Sequence, residues 1–193
     1  GRNPDAKIVV AGCYSQRSPE EVLSLPGVSL VIGSKDRANI VGLLANLHEG
    51  RLNAVGSLMG EHEFEELVAT REGRTRAHLK IQEGCDNRCA YCVIPSLRGN
   101  YRSRRMEDIL EEARALAEDG VQECIVIAQD ITRYGVDLYG ERRLPELLRE
   151  LCRLPFHWVR LHYLYPDNLS DELIDTIAGE AKICNYLDIP IQH

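Results

Sequence analysis

Glu123-Cys124-Ile125-Val126-Ile127-Ala128-Gln129 is a strand-length apolar stretch, and what stands on either side of it decides the fold. Upstream, Met106, Ile109, Leu110, Ala113, Leu116 and Ala117 recur at helical spacing and stop before Gly120. Downstream, Leu144, Leu147, Leu148 and Leu151 make a second apolar stripe. A third helix opens at Ser170, a capping residue, with Asp171 and Glu172 in its positive first turn and Leu173, Ile174 and Ile177 behind them. The pattern predicts further strands over 78–83, 158–163 and 186–192. Strands alternating with helices imply an α/β fold with parallel strands and right-handed crossovers. Such units form half of an eight-stranded barrel or most of a six-stranded partial one, and chemistry gathers at the C-terminal ends of their strands.

The segment before them repeats the theme. Residues 7–12, Lys7-Ile8-Val9-Val10-Ala11-Gly12, form a continuous apolar run that predicts a strand buried on both faces. Ser18-Pro19-Glu20-Glu21 predicts a helix start, with Ser18 as cap, Pro19 in the first turn and Glu21 closing a capping box. A strand over 30–33 precedes a helix with Ile40, Leu43, Leu44 and Leu47 on one face, closed by Gly50. Residues 51–76 are polar and charged and read as a linker.

Composition narrows the function. The 193 residues carry 23 Lys+Arg against 30 Asp+Glu, a net charge of −7, which argues against a surface given over to nucleic acid. With 44% hydrophobic and 27% charged residues, the chain is too apolar for disorder. Its apolar runs are strand-length, so no membrane span is expected, and no secretory signal opens it; a cytoplasmic setting follows. The chain starts at Gly1 close to one apolar strand and stops at His193 after another, and is expected to be an internal piece of a longer enzyme.

Seven cysteines is an odd count for a disulfide framework. Three of them stand together in Cys85-Asp86-Asn87-Arg88-Cys89-Ala90-Tyr91-Cys92, directly after the first barrel strand. Three thiolates in eight residues converge only if the loop wraps around something. Structural zinc normally takes four protein ligands, and no fourth Cys or His follows at such a spacing. A redox pair would use Cys89 and Cys92 and leave Cys85 unexplained. A 4Fe–4S cluster held at three corners, with one iron open to a cofactor, uses all three. A zinc-stabilised binding module stays open as the reading from a different class.

This loop resembles the CxxxCxxC signature of the radical S-adenosylmethionine enzymes. The resemblance implies that Cys85, Cys89 and Cys92 hold the cluster and that S-adenosylmethionine chelates the fourth iron. It also implies that one electron, from an external reductant, releases a 5′-deoxyadenosyl radical. Tyr91 matches the family's aromatic position near the adenine. The flanks Leu79-Lys80-Ile81-Gln82-Glu83-Gly84 and Val93-Ile94-Pro95-Ser96-Leu97-Arg98-Gly99, then Tyr101-Arg102-Ser103-Arg104, look like the methylthiotransferases, which insert a methylthio group into tRNA or a ribosomal protein. Cys13, in Gly12-Cys13-Tyr14-Ser15-Gln16, resembles the third ligand of their second, sulfur-handling 4Fe–4S cluster. The resemblance divides the chain into a partial N-terminal methylthiotransferase domain with linker, 1–70, and a partial radical core, 71–193. That core would be the first four βα units of a (β/α) barrel.

The stretch from Ile127 to Gly140, with Trp158-Val159-Arg160-Leu161, Tyr165-Pro166-Asp167 and Tyr186 to His193, resembles the branch that modifies an aspartate of the twelfth small-subunit ribosomal protein. Gly12 to Gln16 with the Ser18-Pro19-Glu20-Glu21 helix, and Phe64-Glu65-Glu66-Leu67, look more like the branch acting on threonylcarbamoyl-adenosine in tRNA, which is the alternative substrate. Gln129 and Asp130 fall at the rim where the superfamily binds the cofactor's methionine end; Asp130 can equally cap the following turn. Arg160, inside an apolar strand, needs a carboxylate, either the cofactor's or a structural acid. Gln192 and His193 stand at another strand end and complete the cofactor-binding candidates. Arg98, Arg102, Arg104 and Arg105 concentrate positive charge, either to meet RNA or an acidic loop or to solvate a turn. His78, His157 and His162 read as surface or satisfied histidines, and Cys124, Cys152 and Cys184 as buried thiols.

Overall fold

The computed structural model describes residues 3, 5–47, 50–58, 64 and 75–191, which fall in two compact units, 1–68 with 86–99 and 69–85 with 100–193. The charged stretch around Glu61–Glu66 and Thr70–Arg74 lies, Phe64 apart, outside the described residues.

In the first unit, β1 (Ile8–Ala11), α1 (Cys13–Arg17), α2 (Pro19–Ser24), β2 (Val28–Ile32), α3 (Ile40–Ala45) and β3 (Leu52–Asn53) follow in order, and α4 (Ile94–Arg98) joins them. The sheet is parallel, ordered β1-β2-β3. The centre is β2: Val28 and Val31 pack with Val22, while Leu30 and Ile32 pack with Leu47. The run at 7–12, expected to be buried on both faces, is partly exposed in the described sheet, where β1 pairs with β2 and Ile8 is 47% exposed. The expected linker contributes β3, so its first residues extend the sheet. The capping box does not form either. Ser18 makes no side-chain cap, and Glu21 instead accepts the Tyr14 hydroxyl at 2.6 Å. Sequence gave no warning of α1, whose five residues are too short for a periodic stripe.

The second unit is built on β4 (Arg76–Lys80), β5 (Gln82–Glu83), β6 (Arg102–Ser103), α5 (Met106–Glu118), β7 (Glu123–Ile127), α6 (Val136–Tyr139), α7 (Leu144–Arg153), β8 (Trp158–Leu161), α8 (Asp171–Gly179) and β9 (Ile183–Leu187). Its main sheet is parallel and keeps chain order, β4-β7-β8-β9, each strand joined to the next through a helical crossover. The expected apolar stripes of α5, α7 and α8 pack on one face with Leu79, Cys124, Val126, Val159, Leu161 and Ile183. Leu147, Leu148 and Leu151 are fully buried, each worth on the order of 2 kcal/mol. Ser170 caps α8 by accepting the Leu173 amide. Strand side chains alternate, so the other face carries a row of Arg76, Glu123 and Trp158 in register, then His78, Ile125 and Arg160.

Two strand expectations shift. Residues 78–83 are two elements, because β4 ends at Lys80 and β5 leaves the sheet to pair antiparallel with β6 (Gln82↔Ser103, Glu83↔Arg102). The last strand runs over Ile183–Leu187 rather than 186–192, so Cys184 lies within it. Pro190 cannot donate to a ladder, which is why the apolar run beyond Asp188 does not extend the strand.

Candidate functional site

The β5–β6 pair is the neck of the excursion that carries the three neighbouring cysteines. In the second unit this neck is stitched to the end of β7. Gln82 Nε2 donates to the Asp130 carbonyl at 3.0 Å, and the Gly84 amide donates to Gln129 Oε1 at 2.9 Å. Ser103 Oγ donates to Gln82 Oε1 at 3.4 Å and accepts the Gly135 amide at 3.0 Å, while the Ser103 amide donates to Asp137 Oδ2 at 2.7 Å. The carboxylate of Glu83, wholly buried, faces Lys80 Nζ at 3.4 Å and Arg102 Nη2 at 3.6 Å. Gly84 has φ +81°, a left-handed conformation that suits glycine, and Cys85 follows at once. The Gln82 and Gly84 contacts fix the backbone from which Cys85 departs, at the C-terminal side of the parallel strands, and those of Ser103 fix the strand that returns.

Cys89 and Cys92 belong to the first unit. The Cys92 amide closes a turn on the Cys89 carbonyl at 2.9 Å, and α4 follows until Gly99, at φ +74°, ends it. Cys13 opens α1 at the end of β1 in the same unit, and Arg98 Nε donates to its Sγ at 3.2 Å. Cys13, Cys85, Cys89 and Cys92 are half-buried and in no disulfide, whereas Cys124, Cys152 and Cys184 are buried, as expected. Burial pushes the Cys124 thiol up to about 12 and the Cys152 thiol up to about 11, and raises Cys184 as well. Among the described residues no three His, Cys, Asp or Glu side chains are gathered closely enough to coordinate one ion. The fit of the three neighbouring cysteines to an iron–sulfur cluster rests on donor chemistry: soft sulfurs at CxxxCxxC spacing, partly accessible, on one loop.

The remaining candidates are distributed around this frame. Asp130, 3% exposed, accepts the Thr132 amide at 3.0 Å and the Thr132 hydroxyl on Oδ1, and Asn168 Nδ2 lies 3.5 Å from its Oδ2. Arg160 Nε reaches Glu123 Oε1 at 2.5 Å, and its guanidinium lies 5.4 Å from the Tyr186 ring centre. Glu123 also pairs with Arg76 at 2.6 Å. Tyr91 is exposed. Gln192 and His193 lie outside the described residues. His78 and His157 are exposed and His162 half-buried.

Most arginines of the basic run meet partners within their own unit, while Arg105 stays exposed. Arg104 is buried, bonded to Glu112 at 2.6 Å and the Lys80 carbonyl at 2.9 Å; Arg102 faces Glu83; Arg98 meets Cys13; and Arg105 faces Glu107 at 3.7 Å. Sequence reading did not assign two of these pairings. Glu123 left a trace, a lone acid opening an apolar strand with arginines on the strands before and after. The contact of Arg98 with Cys13 left none, because the two lie 85 positions apart.

A model of the Radical SAM superfamily matches residues 79–193. Over 188 residues, 96% of this chain, the sequence is 48% identical to ribosomal protein uS12 methylthiotransferase RimO of Alkaliphilus oremlandii (strain OhILAs). Proteins of the same name from Lachnoclostridium phytofermentans (strain ATCC 700394 / DSM 18823 / ISDg) and Clostridioides difficile (strain 630) are 44% and 45% identical, again over 96% of the chain. The chain spans 42–43% of the length of these relatives. A solved structure of the radical S-adenosylmethionine methyltransferase TsrM from Kitasatospora setae aligns with 60% of this chain and 22% of its own, at 22% identity and a TM-score of 0.48.

Proposed function

The chain belongs to the Radical SAM superfamily, and on that footing we propose that it is part of a methylthiotransferase acting on an aspartate of ribosomal protein uS12. Residues 1–70 are read as part of its sulfur-handling domain and 71–193 as part of its radical core. The observation that carries the reading is the position of Cys85: it leaves the parallel sheet at the C-terminal side of the strands, directly after Gly84 is held by Gln129. Identities of 44–48% along nearly the whole chain to uS12 methylthiotransferases favour this branch over tRNA.

In this reading Cys85, Cys89 and Cys92 would hold a 4Fe–4S cluster, and Cys13 would be one ligand of a second. When bound, the first cluster supplies the electron that splits the sulfonium of S-adenosylmethionine and generates the hydrogen-abstracting radical. The chain's own residues do the positioning. Gln129 and Gln82 fix the backbone ahead of Cys85, Asp130 holds the turn after β7, and Tyr91 offers an exposed ring on the cysteine loop for the adenine. Among the described residues no helix is long and apolar enough to cross a membrane, and the enzyme is taken to work in the cytoplasm with a separate reductant.

The test uses the full-length protein, purified without air and supplied with iron and sulfide. Brown colour, 5′-deoxyadenosine formed from S-adenosylmethionine, and a methylthio mass gain on uS12 support the reading. Methylthio-adenosine in digested tRNA with unmodified uS12 transfers it to the tRNA branch. A colourless protein carrying one zinc per chain, or an iron cluster indifferent to S-adenosylmethionine, overturns it.

A further inference from the structure

Tyr163, just past β8, has a φ of +64°, a strained left-handed conformation for a bulky aromatic residue. Asp36 is the one other described residue besides glycine with a positive φ, and aspartate tolerates that region. The backbone of Tyr163 is pinned on both sides: its carbonyl accepts the Ile131 amide at 3.0 Å, and the Leu164 amide donates to the Asp188 carbonyl at 3.0 Å. This turn changes which residue enters the core. Val159 and Leu161 are fully buried under the helices, and strand alternation would send residue 163 after them. Leu164 enters instead, fully buried, and Tyr163 is 49% exposed. Adjacent side chains of an extended strand point to opposite faces, yet the rings of His162 and Tyr163 lie 6.4 Å apart. The left-handed turn has carried the Tyr163 ring away from the core to the side of His162, where the Tyr186 ring also lies, 6.4 Å from His162. None of the bonds that hold the turn uses the Tyr163 side chain, and its hydroxyl makes no hydrogen bond with a described residue. Glycine or asparagine would fit the same backbone with less strain.

We infer that Tyr163 is a substrate-binding residue, whose ring contacts the segment of uS12 that carries the target aspartate. The inference rests on the reading of uS12 as the substrate. Backbone strain that the fold over-determines, holding out a side chain that the core does not use, is the signature of a residue kept for a bound molecule. Its place says which molecule. The second unit's main sheet runs β4-β7-β8-β9, and the chain leaves for the cysteine loop from the β4 side, through β5. Tyr163 stands after β8, two strands further on, roughly 10 Å away at ordinary strand spacing. Gln129 and Asp130 follow β7, between the two. The rim beside the cysteine loop is therefore left to a cofactor, and the β8 rim to the molecule it acts on. A tyrosine ring gives a peptide an apolar face with a polar tip.

The experiment uses the full-length enzyme, supplied with iron and sulfide, and compares Tyr163→Asn, which suits the left-handed backbone but lacks the ring, with Tyr163→Phe, which keeps the ring. Three quantities are read without reductant, so that nothing turns over: the dissociation constant for purified uS12, that for S-adenosylmethionine, and the urea midpoint. The expected result for Tyr163→Asn is uS12 binding weakened roughly tenfold, the scale of one lost aromatic contact. Its S-adenosylmethionine binding stays at the parent's level, and its urea midpoint is no lower than the parent's. Tyr163→Phe should recover most of the uS12 affinity. A lower urea midpoint in Tyr163→Asn overturns the inference, since the ring would then be packing within the full-length protein. S-adenosylmethionine binding weakened as much as uS12 binding, or uS12 binding lost alike in both variants, overturns it too. The parent enzyme separates the two layers. If it neither binds nor modifies uS12, the substrate reading has failed; if it does both and Tyr163→Asn binds uS12 as tightly, only the role of Tyr163 has failed.

Discussion

Gln129 grips the backbone one residue ahead of the cysteine loop, its side-chain oxygen accepting the Gly84 amide at 2.9 Å. Gly84 is in a left-handed conformation, and that N–H has a single well-placed acceptor supplied from the end of the neighbouring strand. Gln129→Leu removes the acceptor and leaves a part-buried donor unsatisfied, a loss of about 1 kcal/mol. Gln129→Glu keeps an oxygen in place and is expected to hold the contact. Hydrogen exchange followed by mass spectrometry should show faster exchange across residues 84–92 in the Leu variant only. Identical exchange in both variants would mean that the neck is held without Gln129.

Glu123 sets an acid limit on the second unit. Burial on its own would raise the pKa of this carboxyl, but the Arg160 hydrogen bond, with the charges of Arg160 and Arg76, outweighs burial and leaves it below its ordinary value. The unfolded chain therefore takes up this proton at a higher pH than the folded one. The stabilisation is complete above the ordinary value of 4.5 and is lost as pH falls through the lower native value. Glu123→Gln is expected to cost about 2 kcal/mol at neutral pH. The gap between variant and parent should close as the solution is acidified below the ordinary carboxylate range. Urea unfolding of both proteins across that range checks it, and a gap that widens on acidification contradicts the assignment.

Local periodicity made part of this fold legible, and long-range pairing hid the rest. The stripes of α5, α7 and α8 and the Ser170 cap each depend on residues within one or two turns, so the sequence displays them directly. The break at Ile81 depends on Gln82 and Glu83 pairing with Ser103 and Arg102 across the cysteine loop, which no local window contains. The three neighbouring cysteines were visible because their donors are contiguous. The partners of the arginines after them were hidden for the opposite reason: Cys13, Glu83 and Glu112 are brought to them by the fold. Arg160 was recognised as needing an acid, but that Glu123 supplies it follows from strand register, with Ile125 opposite Arg160.

The seven cysteines should divide chemically into two sets. Cys124, at a pKa of about 12, and Cys152, at about 11, stay protonated at neutral pH, and Cys184 is buried with its pKa also raised. Thiolate is the reactive form, and burial also blocks approach of the reagent. In metal-free native protein, iodoacetamide at neutral pH is expected to modify Cys13, Cys85, Cys89 and Cys92, and to reach the other three only after denaturation. Peptide mapping reads the outcome. Modification of Cys124 as fast as Cys89 in native protein would show that the helix-covered face of the sheet opens freely.

Asp130 allows a structural role and a cofactor role to be told apart by two substitutions. Its Oδ1 accepts both the amide and the hydroxyl of Thr132, holding the turn that follows β7, and the side chain is 3% exposed. Asp130→Asn keeps an oxygen at that position and removes the charge; Asp130→Ala removes the acceptor and leaves the Thr132 amide unsatisfied. A capping role predicts that Ala costs about 1 kcal/mol while Asn costs a few tenths. Binding of S-adenosylmethionine to the full-length enzyme, measured by equilibrium dialysis, should then follow stability, with Asn close to the parent. A charge contact with the cofactor's ammonium predicts the reverse: Asn and Ala weaken binding alike, and Asn does so with little loss of stability. Chemical denaturation and dialysis on the same pair of variants decide between the two.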